Sequence, residues 1–196
     1  MLDFVYHHLP VLAVLVVFAE RMREVLTKRE TVAGQKKETL TFSLFMVCGQ
    51  AIVIGGIVEY YLRDLRLWWP LFVVGLLISI TSFIIRRSAI RALGRFWSLH
   101  VEMREGHEFV QTGPFAYARH PVYFSMILEL LGTGMMLGAW WTLTAVFLLF
   151  IPTMIARIRI EERAMVAQFG DAYRAYMRHT PPIFPRFMKR TEGSSC

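Results

Sequence analysis

The feature that most constrains this chain is a set of long apolar runs. Residues 67–85 carry no ionisable side chain, and residues 40–61 are interrupted only by Gln50 and, late, by Glu59. Residues 122–156 contain a single charge, Glu129. A helix needs about 20 apolar residues to cross the hydrocarbon core of a bilayer. The first two runs fit one crossing each. The third, at 35 residues, is too long for one. Gly132, Gly134 and Gly138 followed by Trp140 and Trp141 divide it into two helices, with a tight turn at residues 135–139 and the tryptophans at the membrane–water interface. Near the N-terminus, residues 9–19 are apolar but short, and span only with residues 4–6 and some flank. The chain is 55% hydrophobic and 19% charged, against about a quarter charged in soluble domains. The expectation is an all-α integral membrane protein with about five transmembrane helices.

The net charge of +7 is distributed in a way that sets topology. Of the 22 lysines and arginines, 20 fall on one side if the N-terminus lies outside and the C-terminus inside. Basic loops stay cytoplasmic, so this arrangement is expected. The basic balance then reads as topology, with membrane lipids as neighbours and no nucleic-acid partner. Cys48 and Cys196 form no disulfide framework, and nothing follows Cys196 to make a prenylation box. No basic segment precedes the first apolar stretch, so no cleaved signal peptide is expected. The whole chain, 1–196, reads as a single membrane domain. It comprises three N-terminal spans in 1–87, a second half in 88–185 built on the helical hairpin, and a tail in 186–196.

Two cytoplasmic segments flank that hairpin, and it brings them together at the membrane surface. The first ends in Gly113-Pro114-Phe115-Ala116-Tyr117-Ala118-Arg119-His120-Pro121-Val122-Tyr123. It reads either as a plain helix start, with Arg119 and His120 as interfacial anchors and Pro121 in the first turn, or as a ligand-facing turn. The second is Arg157-Ile158-Arg159-Ile160-Glu161-Glu162-Arg163. Arg157 and Glu161 share a helix face, and Arg159 and Glu162 are three apart. These read as surface ion pairs or as site residues. Further on, residues 171–179 have helical character with Tyr173, Tyr176 and Met177 on one side, ended by Pro181, Pro182 and Pro185. Glu129 inside a span is either functional or paired to another helix. The histidines lack the spacing of a zinc site, and no metal is expected.

Taken in order, Gly113, Phe115, Arg119-His120-Pro121 and Tyr123, then the hairpin, then Arg157, Glu161-Glu162, Phe169-Gly170, Tyr173 and Tyr176 resemble the isoprenylcysteine carboxyl methyltransferase family and its wider group of phospholipid methyltransferase-like membrane enzymes. The match runs from about Arg95 to Pro185. The first three spans carry no such signature. The resemblance implies a methyltransferase using S-adenosyl-L-methionine, leaving S-adenosyl-L-homocysteine as product, in a cytoplasmic pocket formed by the loop before span four and the C-terminal helix. The cofactor-binding residues it implies are His100, His107, Glu108, Phe109, Val110, Phe115, Tyr117, His120, Pro121, Val122, Tyr123, Glu161 and Glu162. Arg157, with Glu161, takes the catalytic role beside a lipophilic methyl acceptor. The family often has Gly where this chain has Ser125. Such an enzyme resides in the cell membrane, or in the endoplasmic reticulum of a eukaryote. A carboxylate acceptor needs no general base, so alignment and charge placement carry the reaction. A phospholipid N-methyltransferase, an NADPH-dependent sterol-type reductase and a non-enzymatic membrane protein remain the alternatives.

Overall fold

The computed structural model describes residues 2–27, 35–36, 40–94, 102–103 and 109–185. The helices are α1 (Leu2–Leu26), α2 (Leu40–Leu62), α3 (Trp69–Leu93), α4 (Pro121–Leu137), α5 (Trp140–Ala145) and α6 (Ile151–His179). Residues Val146–Phe150 form a wider π-helical turn joining α5 to α6. A two-residue antiparallel ladder pairs β1 (Gln35–Lys36) with β2 (Glu102–Met103). Among the described residues, four helical stretches are long and apolar enough to cross a membrane, and α4 adds a shorter apolar helix of 17 residues. At 1.5 Å per residue, α4 covers about 26 Å, close to the thickness of the hydrocarbon core. The chain is therefore a multi-pass helical membrane protein, as its apolar runs require. Leu12, Val16, Val47, Ile54, Leu77, Ile84 and Leu148 are exposed on its flanks, where lipid is the solvent.

The tightest packing lies between α3 and α4. Gly75, Ser79, Ser82, Arg86 and Ala89 are buried at alternating spacings of four and three along α3. Such a stripe of small residues lets backbones approach closely in a membrane. A Cβ added to Gly132 would lie 2.4 Å from the Ser79 hydroxyl and 2.6 Å from the Gly75 carbonyl oxygen. Ser82 donates across the seam to the Ser125 carbonyl at 2.8 Å.

Arg86 sits in this seam with no exposed surface. The sequence places it just past span three, in a cytoplasmic segment, but α3 continues to Leu93. The side chain turns inward and bonds Glu24 of α1 at 3.0 Å and Glu129 of α4. A buried arginine is tolerable only when so partnered. Of the two readings of Glu129, the structure gives the paired one.

The opposite end of the bundle carries the hairpin turn. Gly138 adopts φ 62°, ψ 26°, and its N–H and that of Ala139 return to the carbonyls of Met135 and Gly134. A left-handed residue closing α4 suits glycine. Glu59 of α2 caps the next helix from outside. Its carboxylate accepts from the backbone N–H of Trp141 at 3.1 Å and of Thr142 at 2.9 Å, and from the Thr142 hydroxyl at 3.0 Å. An anion there meets the free N–H groups of the first turn.

The helix expected at residues 171–179 is the last part of a longer one. From Trp140 the helical path runs 40 residues to His179. That is about 60 Å, twice a bilayer core, so its second half emerges. Gly170 interrupts it at φ 55°, ψ −127°, a conformation open to glycine. The helix ends at His179, ahead of the prolines.

Candidate functional site

The site lies at the end of the bundle where α3 finishes and α4 begins, opposite the hairpin turn. The chain approaches it through a short 3-10 turn, Gly113–Ala116, with Gly113 at φ 61°. His120, held out of helical geometry by the proline that follows (φ −124°, ψ 61°), leads into Pro121, the first residue of α4. The segment after α6 lies along this loop. The Arg119 N–H donates to the Pro181 carbonyl at 2.9 Å, and the His120 N–H to the Pro182 carbonyl at 2.8 Å. Tyr176 donates its hydroxyl to the Phe115 carbonyl at 2.6 Å.

Arg119 is the tie between these segments. Its Nε donates to Glu162 at 2.7 Å, and its Nη2 lies 2.6 Å from the same oxygen. Its Nη1 donates to the carbonyls of Met177, at 3.0 Å, and Thr180. His120 Nε2 lies 3.2 Å from Glu162 and its Nδ1 3.6 Å from Glu161. Burial raises the cost of a charged Glu162, but hydrogen bonds from His120 and Arg119 outweigh it and hold the carboxyl below the usual range.

The neighbouring chain of contacts runs through Tyr123. Its hydroxyl donates to Glu161 at 2.5 Å and accepts from Arg157 Nε at 2.8 Å. Arg157 Nη2 lies 3.5 Å from Glu161, one helical turn on. Arg157 is 2% exposed, whereas the Glu161 side chain keeps 23% exposure. Aromatic rings form a second wall. Phe109 meets Phe169, Tyr173 and Tyr176 at centroid distances of 5.0, 5.5 and 5.8 Å. Burial pushes the phenols of Tyr173 and Tyr176 up.

Of the residues singled out in the sequence, Phe109, Phe115, His120, Pro121, Tyr123, Arg157, Glu161 and Glu162 come together here. Val110 and Val122 are half-buried beside them, and Tyr117 is half exposed. His100, His107 and Glu108 lie outside the described residues. The carboxylate of Glu162 goes to Arg119 and His120, where the spacing had pointed to Arg159. Arg119, treated as an interfacial anchor, is the residue the sequence reading undervalued. Its partner is 43 positions away, and only the complementary charge of the two segments hinted at it. Phe169 and the tyrosines of α6 had a signal in their spacing, but not in their partner, Phe109.

Fold and site together define a class: a multi-pass helical membrane protein with a charged, aromatic-walled site at the base of a helical hairpin. Residues 73–167 match the model of the isoprenylcysteine carboxyl methyltransferase family. Over 103 residues it is 33% identical to the protein-S-isoprenylcysteine O-methyltransferase of Schizosaccharomyces pombe, covering 52% of this chain and 44% of that one. It is 32% identical over 99 residues to the cobalt-zinc-cadmium resistance protein CzcN of Cupriavidus metallidurans, covering 50% and 45%. The protein-S-isoprenylcysteine O-methyltransferase B of Arabidopsis thaliana is 26% identical over 159 residues, 78% of this chain and 81% of that protein. The chain thus spans under half the length of the first two. The solved structure of the eukaryotic intramembrane Ras methyltransferase ICMT superimposes with a TM-score of 0.61 at 21% identity, covering 92% of this chain and 62% of that one. That likeness establishes the fold.

Proposed function

We propose that the chain is an S-adenosyl-L-methionine-dependent methyltransferase of the membrane surface, acting on the carboxylate of an isoprenylcysteine-like lipophilic acceptor. The match of residues 73–167 to the isoprenylcysteine carboxyl methyltransferase family supports methyl transfer. The observation that carries the reading is the adjacency of Glu161, Tyr123 and Arg157. It sets an acidic and a basic group side by side where the spans meet water.

The donor set fits the proposed cofactor. Glu161 keeps solvent exposure, and its Oε2 lies a loose 3.6 Å from His120. It can receive an ammonium or lie near a sulfonium. Phe109, Phe115 and the tyrosines of α6 supply apolar and π surface for an adenine. When bound, the cofactor supplies an electrophilic methyl group on a cationic sulfur. The chain's residues supply alignment and charge. Arg157 offers a guanidinium for the acceptor carboxylate, whose anionic oxygen needs no base. An incoming carboxylate would compete with the 3.5 Å contact to Glu161. Lipid chains enter from the bilayer side and the cofactor from the cytoplasm, the side the basic residues mark.

Calorimetric titration of the purified protein with S-adenosylhomocysteine tests the cofactor assignment. Saturable binding is expected, weakened about ten-fold in Glu161→Gln, the scale of one hydrogen bond to a charged group. Binding of NADPH with no binding of S-adenosylhomocysteine would point to a reductase and reject the proposal.

A further inference from the structure

The resemblance assigns Tyr123 to the cofactor, but its contacts point elsewhere. The residue is buried at the start of α4, with its ring fixed from two directions. Phe45 of α2 meets it edge-on at 5.6 Å, and the His120 ring lies 5.7 Å away. Its hydroxyl is committed as well. A phenol has one proton and acceptor lone pairs, a carboxylate only accepts, and a guanidinium only donates. The 2.5 Å bond to Glu161 therefore takes the Tyr123 proton, and the 2.8 Å bond from Arg157 Nε takes a lone pair. The polarity of each partner leaves this arrangement no alternative. Arg157 is consequently held at Nε, and the plane of its fork is set before an acceptor arrives. A preorganised fork loses less freedom on binding than a free one.

We propose that Tyr123 is a positioning residue that aims the Arg157 guanidinium at the acceptor carboxylate, and so sets acceptor affinity rather than cofactor affinity. This rests on the reading of Arg157 given above. Phe45, by walling the ring, acts through the same contact.

The test uses the full chain with an N-acetyl prenylcysteine acceptor and the matching carboxamide as competitor. Tyr123→Phe keeps the ring and removes the hydroxyl. It is expected to raise the acceptor KM about ten-fold, to weaken S-adenosylhomocysteine binding by clearly less, because Glu161 keeps its charge, and to erode the preference for carboxylate over carboxamide. Added to Arg157→Ala, it should cost nothing further, because the two act as a unit. Loss of cofactor affinity as large as the loss of acceptor affinity, or additive losses with Arg157→Ala, would overturn the assignment. Should Tyr123→Phe fail to fold, Phe45→Leu gives the same split, since it loosens the ring and keeps both hydroxyl partners. No change in acceptor KM there would count against the proposal. A wild-type protein that methylates no carboxylate overturns the functional reading and this inference with it. An active wild type with Tyr123→Phe impaired first in cofactor binding overturns the positioning role alone.

Discussion

Glu162 carries the electrostatics that hold the site closed, because Arg119 and His120 both spend a donor on it. Its carboxyl titrates below the usual range in the fold. A depressed carboxyl contributes stability above its unfolded pKa, near 4.3, and loses it as pH falls through the lower, folded value. Glu162→Gln should therefore lower stability by about 2 kcal/mol at neutral pH, the scale of a hydrogen bond to a charged group. In thermal unfolding at this chain length that is roughly 4–8 °C. The gap between wild type and variant should close below about pH 4. A gap that stays constant into acid would show that Glu162 contributes by packing. At this scale the sequence discloses near neighbours and hides distant ones. Arg157 and Glu161 are visible as an i,i+4 pair. Arg119 and Glu162 meet only because a hairpin folds between them.

Among the elements, α3 and α4 depend on an absence of side chain. A methyl on Gly132 would stand 2.4 Å from the Ser79 hydroxyl, with the Gly75 carbonyl behind it. Gly132→Ala is expected to cost about 1–3 kcal/mol, as overpacking does. Gly55→Ala, where nothing lies within 4 Å, should leave the unfolding midpoint unchanged. Equal effects of the two would mean the seam is not the tight contact described. Glu59→Ala should cost about 1–2 kcal/mol by uncapping α5, and the loss should appear in detergent-denaturation midpoints. The apolar runs and the glycines announce the spans and the turn. The seam is less legible, because its small residues are spread through runs that are apolar throughout. The inward turn of Arg86 is not legible at all, since a charge at the end of a run reads as its boundary. Two carboxylates inside apolar runs thus serve different ends, for Glu59 caps a helix and Glu129 closes an ion pair.

For the molecule as a whole, the alternation of helices sends the two ends of the bundle to opposite membrane faces. Asp64, between α2 and α3, is 75% exposed at one end, and Arg174, on α6, is 56% exposed at the other. In a cysteine-free background, Asp64→Cys should react with an impermeant maleimide added to intact cells, and Arg174→Cys only after permeabilisation. The reverse pattern would invert the orientation that the basic residues specify. The proposed reaction is methyl transfer, at the site beneath the hairpin, to a carboxylate held by Arg157. It is tested most directly by incubating the reconstituted protein with methyl-labelled S-adenosylmethionine and a panel of N-acetyl prenylcysteine, its carboxamide and phospholipids. A base-labile methyl ester is expected on the prenylcysteine alone, reduced at least a hundred-fold in Arg157→Ala, which removes roughly 3 kcal/mol of interaction with the reacting group. Label on the phospholipids instead, or an ester formed equally well without Arg157, would contradict it.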